Sequence, residues 1–208
     1  MRHHVQRHRP KQRWLSHHLP FFLASSVLTA LLSWLQVKTD LVTRLSVATA
    51  SVGLLWLSLT LVLGPLNVLR RRPNPVSTDV RRDLGLWAAL LCAFHSTLGT
   101  RSLFTWAIPV GGWAMLLILL LVVLSNDLAL RWLKTKRWKQ LQQLNYLVFV
   151  LAVVHTFAYQ LWNNHLVPYL LISVLAVAGV VTLQIAAWSS RLFGKEHPHR
   201  SQDSLQEN

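Results

Sequence analysis

Acid is scarce in this sequence. Only seven of its 208 residues are Asp or Glu, against 21 Lys and Arg, for a formal net charge of +14. Charge of either sign is also thin: 13% of the residues carry it, where a water-soluble domain carries about a quarter. The single cysteine, Cys92, excludes an intrachain disulfide framework and a cysteine-rich metal site. There is no Walker loop, no GxGxxG fingerprint and no Ser/His/Asp constellation, so water-soluble enzymology lacks its residues. No long internal repeat is visible, and the length leaves no room for a second domain of ordinary size.

Apolar runs are what the chain has instead. Hydrophobic residues make up 52% of it, and ten residues are Trp. The runs cover 19–37, 45–63, 84–100, 106–124, 144–162 and 166–188. Each is long enough to cross a hydrocarbon core of about 30 Å at roughly 1.5 Å per residue. The predicted fold class is therefore all-α, an integral membrane bundle of six transmembrane helices over 19–190. A basic, His-rich tail (1–18) precedes it and a polar tail (191–208) follows. The first run is longer than a signal-peptide core and lacks a small-residue cleavage site, so it reads as a retained helix. Gly64 and Pro65 are expected to end the second run, and a basic loop carrying Arg70, Arg71, Arg72, Arg81 and Arg82 is expected to follow. Between the fourth and fifth runs, 127–140 mixes Arg131, Lys134, Lys136, Arg137 and Lys139 with Trp132 and Trp138, which suits an interfacial segment.

Orientation follows from the basic residues. Eighteen Lys and Arg fall on the side of the two tails and the loops after runs two and four. Only Lys38, Arg44 and Arg101 fall on the other. The positive-inside rule then places both termini in the cytoplasm. Trp34, Trp106, Trp113 and Trp162 gather at the outer interface, and Trp14, Trp87, Trp132, Trp138 and Trp188 at the inner one, as aromatic belts should. The basic residues sit in short clusters between apolar runs rather than along one surface. Membrane lipid, not nucleic acid, is the partner this implies.

Within the membrane the ionisable inventory centres on His95 and His155. Their helices run the same way in this topology, and both residues lie about 20–24 Å from the basic inner edge at 1.5 Å per residue. An ionisable side chain at that depth needs a partner. Two imidazoles at one depth can ligate a heme iron from opposite faces; they can also bond nearby hydroxyls and carbonyls, or relay protons. Helical steps from His95 meet Gly85, Ala88, Cys92, Ser96 and Gly99, a small face that admits either a macrocycle or a neighbouring helix. The same steps from His155 meet Asn145, Val148, Ala152, Tyr159 and Trp162, which is less diagnostic. His165, beside Asn163 and Asn164, reads as an interfacial histidine. His3, His4, His8, His17 and His18 lack regular ligand spacing and read as a solvated tail. The arginine groups at 70–72 and 81–82 are topology determinants first; phosphate of a cofactor or lipid is their second reading.

Two stretches carry a resemblance. Arg81-Arg82-Asp83-Leu84-Gly85-Leu86-Trp87 leading to His95 resembles the third helix of the ferric reductase-like transmembrane domain family. Ser125-Asn126-Asp127 through Lys136-Arg137-Trp138 to Leu144, Tyr146 and His155 resembles its fourth loop and fifth helix. The resemblance covers roughly 40–190. In size and pattern it is nearest to the heme-binding membrane subunit of bacterial periplasmic methionine sulfoxide reductase systems. It implies a six-helix b-type cytochrome passing electrons across the membrane. The family's outer ligand pair falls on His95 and His155, and the inner pair on Arg81 and Gln142. Arg81 suits that branch; Gln142 stands where a His is expected, so one heme b is the expectation, with a second position left by Arg81. The resemblance also admits FMN, with Arg81 as a cofactor contact.

The leading expectation is an electron-transfer subunit of a membrane oxidoreductase, not a self-contained enzyme, with His95 and His155 as its iron ligands. A separate flavoreductase or the quinol pool would be its donor and an outer-face reductase its acceptor. The membrane would be a bacterial plasma membrane, with a thylakoid the other that suits it. A heme-free structural or assembly subunit is the rival from a different class. A small transporter has only the apolar runs behind it, with no interrupted helix pair.

Overall fold

The computed structural model of the protein describes residues 14–35, 39–70, 76–99, 107–125, 129, 132–133, 137, 140–162 and 169–193. Among these residues the fold is all-helical. A π-helical turn, Trp14–His18, leads into α1 (Leu19–Trp34), followed by α2 (Leu41–Leu69), α3 (Val76–Gly99), α4 (Ala107–Leu124), α5 (Leu144–Trp162) and α6 (Tyr169–Phe193). Much of the expected interfacial segment 127–140 lies outside the described residues, as do His3, His4, His8, Lys38, Arg71, Arg72, Arg101, Trp106, Asn163, Asn164, His165 and the tail after 193.

Helix α2 is the central column. It packs on α3, α6, α1 and α5, while α4 lies mainly against α5. Half of its most apolar window is buried, against 17% in α5 and in α6. Its many small hydroxyl residues make this burial tolerable. Thr49, Ser51, Ser58 and Thr60 return their hydroxyls to carbonyls three or four residues back, so these four hydroxyls are not stranded. Asp40 caps its first turn, accepting from the Thr43 N–H at 2.9 Å. That bond holds the Asp40 carboxyl below its usual pKa. Two cross-links tie the flanking helices to this column and to each other. Trp56 Nε1 donates to Ser25 Oγ of α1, and the Tyr169 hydroxyl of α6 donates to the Leu32 carbonyl near the end of α1.

Three helix boundaries depart from expectation. Helix α2 does not stop at Gly64 and Pro65 but continues to Leu69. Pro65 has no N–H to offer the Leu61 carbonyl, which would break the helix if that carbonyl went unmet. Gln184 of α6 donates to it at 3.2 Å, so the helix passes the proline intact. Helix α3 begins at Val76, which puts Arg81 and Arg82 on the helix rather than in a loop. Residues 76–83 contain neither Gly nor Pro; only their polarity had suggested a loop. At the N-terminus, helical backbone begins at Trp14, five residues ahead of the first apolar run.

Among the described residues, four stretches of helix are long and apolar enough to cross a membrane: Trp14–Trp34, Leu41–Leu69, Leu144–Leu161 and Tyr169–Leu192. The apolar part of α4, Pro109–Leu124, is shorter, and α3 carries the charged Asp79, Arg81, Arg82 and Asp83. The outer surface is apolar: Val27, Leu31, Leu116, Val123, Leu171, Leu175 and Ile185 are all exposed, together with Trp34, Trp113 and Trp188. A surface of this kind is adapted to contact with lipid.

Candidate functional site

Helices α3 and α5 bring His95 and His155 together. Their ring centroids are 6.0 Å apart and the ring planes are inclined at 68°. The residues lie four and seven positions before the ends of their helices, at Gly99 and Trp162, so the pair sits toward one end of the bundle.

The surroundings of each ring orient it. His95 Nδ1 lies 2.9 Å from the Ser46 carbonyl oxygen and 3.0 Å from Ser46 Oγ. A carbonyl only accepts, so Nδ1 carries the proton and Nε2 presents its lone pair. Ser46 is buried in the second turn of α2, which makes the orienting group part of the central column. His155 is set by α4. A Cβ on Gly111 would stand 2.8 Å from Cε1 and 2.8 Å from Nδ1 of the imidazole, closer than real Cβ contacts allow. The absence of that atom lets the ring press its Nδ1 edge onto the helix backbone, with the Nε2 edge opposite. At Gly112, by contrast, an added Cβ would meet nothing within 4 Å.

Arg81 stands elsewhere. It is 14 residues before His95 on the same helix, about 21 Å along the axis. Its guanidinium approaches α2, where a Cβ on Gly64 would lie 4.0 Å from Nη1. There it lines a cavity of about 570 Å³ between α2, α3, α4, α5 and α6, together with Gln142. The two positions that resemble an inner ligand pair therefore share one cavity, and the histidines are not in its lining. Cys92, one turn before His95, is the lining residue nearest to them in the chain.

No known family model and no curated protein matches this chain.

Several contacts lay beyond sequence reasoning. Asp83 is fully buried and accepts from His17 Nδ1 at 2.8 Å, with His18 Nε2 4.0 Å away. Trp87 Nε1 donates to His18 Nδ1 at 3.3 Å. These two histidines, read as part of a solvated tail, thus pack against α3. The signal was an acid beside the apolar run of α3, since a buried carboxylate needs a partner. Ser46 left no signal, being one of many hydroxyls on α2. Gly111 and Gly112 did leave one: adjacent glycines in a run otherwise built of bulky residues.

Proposed function

We propose that this protein is a membrane b-type cytochrome in which His95 and His155 hold one heme between α3 and α5. The observation that carries the reading is the 6.0 Å separation of the two rings. At that separation His95 and His155 would be the residues to hold one iron between them. The Ser46 carbonyl supports it further, because it fixes the His95 tautomer whose Nε2 can ligate, the usual outer-shell arrangement of a ligating histidine. Among the described residues no three His, Cys, Asp or Glu side chains converge as a metal site. Two imidazoles alone suit an ion that brings its remaining ligands with it, as heme iron does.

Heme held by two imidazoles supplies one-electron transfer between ferric and ferrous iron. The chain's own part is to orient both rings, to keep water away with the surrounding apolar helices, and to set the position across the bilayer. On this reading all six helices span, with α3 and α4 completed by the contacts they make in the bundle. Both termini are cytoplasmic by the eighteen-to-three distribution of basic residues. The pair then lies toward the outer face, where an acceptor would take the electron. A flavoreductase or quinol would supply it from the inner side, in a bacterial plasma membrane. The resemblance of 81–95 and 125–155 to the ferric reductase-like family agrees with this assignment. FMN, also implied by that resemblance, would need its phosphate near Arg81 rather than near the histidines.

The test is the visible spectrum of the full chain purified in detergent. Sharp, split bands on reduction, characteristic of low-spin heme, are expected at one heme per chain. A featureless spectrum from folded, helical protein overturns the proposal and leaves a heme-free structural subunit.

A further inference from the structure

The cavity at Arg81 lies apart from the histidines, and the heme reading does not use it. Its two ends differ in chemistry. One is lined by Arg81 and Arg82 of α3 and Arg191 of α6, without any carboxylate among the lining residues. Asp83, next in the chain, is turned to His17 instead. Arg81 and Arg191 make no hydrogen bond or ion pair with a described residue. Gln142 lines the same space. Its Oε1 accepts from Asn145 Nδ2 at 3.3 Å, while its Nε2 is buried and has no partner among the described residues. The other end is apolar, walled by Leu57, Ala88, Ala89, Ile118 and Leu121. Room is made by Gly85, where an added Cβ would meet nothing within 4 Å.

Guanidinium groups at one end ask for an anion that accepts in a plane, and phosphate does so well. The apolar end asks for hydrocarbon, which a small soluble anion lacks. We infer that this cavity binds an anionic phospholipid, with its phosphate at Arg81 and Arg191, an oxygen toward Gln142 Nε2, and acyl chain along the wall of Ala88, Ala89 and Leu121. Basic pockets between membrane helices take headgroups in this way. The inference goes beyond the heme reading and does not rest on it.

Native mass spectrometry of the full chain in detergent tests it, with phosphatidylglycerol, phosphatidylcholine of the same acyl chains, inorganic phosphate and FMN as probes. Phosphatidylglycerol should be retained roughly ten-fold more tightly than phosphatidylcholine. The double variant Arg81→Gln/Arg191→Gln should erase that preference. Gly85→Leu should weaken retention of both lipids, and it is not expected to unfold α3, because Leu forms helix better than Gly and has space at Cβ. Heme per chain is measured alongside; these variants should leave it unchanged, so the two readings fail separately. Equal retention of the two lipids, or retention unmoved by Gly85→Leu, overturns the site. Competition by inorganic phosphate at the same concentration, or tighter retention of FMN than of phosphatidylglycerol, overturns the assignment to lipid.

Discussion

Gly111 and Gly112 are neighbours on one helix with opposite tolerance for a methyl group. At Gly111 the new carbon would press into the His155 ring, while at Gly112 it would stand in open space. Gly111→Ala should therefore displace the imidazole and lower heme affinity by roughly ten-fold or more, since an axial ligand tolerates little misplacement. Gly112→Ala should leave heme content unchanged and stabilise the helix by up to about 1 kcal/mol. Heme titration of the two variants, compared with their thermal unfolding in detergent, checks both. Equal heme affinity in the two variants would mean that α4 does not set the His155 ring. A related expectation concerns Ser46. Ser46→Ala removes Oγ but keeps the carbonyl that fixes the His95 tautomer. It should retain one heme per chain; loss of heme would show that the hydroxyl, not the carbonyl, orients the ring.

At the scale of elements, the passage of α2 through Pro65 depends on a residue far away in the chain. Gln184→Leu would leave the Leu61 carbonyl without its donor, at a cost of about 1–3 kcal/mol. In a Pro65→Ala background the alanine N–H can meet Leu61 within the helix, so the same change should cost clearly less. A double-mutant cycle of unfolding in mixed detergent measures the difference. Identical costs in both backgrounds would disprove the compensation. This is also why the end of α2 was not legible from sequence: Gly64-Pro65 is a sound stop signal, and its override comes from a helix more than a hundred residues later. The start of α3 was misread for a different reason, because the residues from Val76 to Asp83 are polar yet contain no helix breaker. Where apolar periodicity and a helix coincide, as in α5 over 144–162, the two ends were read correctly. The candidate pair was legible for the same reason that it stands out chemically, as two imidazoles inside apolar runs. The atoms that orient them, on Ser46 and Gly111, were not, because they come from other helices and only folding brings them near.

For the molecule as a whole, the exposed apolar surface suits lipid, and on the proposed reading the asymmetric basic charge sets the topology. Membrane-impermeant thiol reagents applied from outside should reach cysteines introduced at Lys38, Arg101 or Asn164, and should not reach cysteines at Arg71 or Lys136. Labelling of the last two from outside would reverse the orientation and place the histidine pair at the inner face. The central claim is the pairing of His95 with His155 across one heme, and one measurement bears on it most directly. It is the reduced-minus-oxidised visible spectrum, recorded at equal protein concentration for His95→Ala, His155→Ala and His165→Ala. Each of the first two should lose the sharp low-spin bands, because removing one axial ligand leaves an exchange-prone iron. The third should match the unaltered protein, since His165 lies about 15 Å farther along if α5 were continued to it. Low-spin heme retained in both His95→Ala and His155→Ala, or lost in His165→Ala alone, would contradict the account.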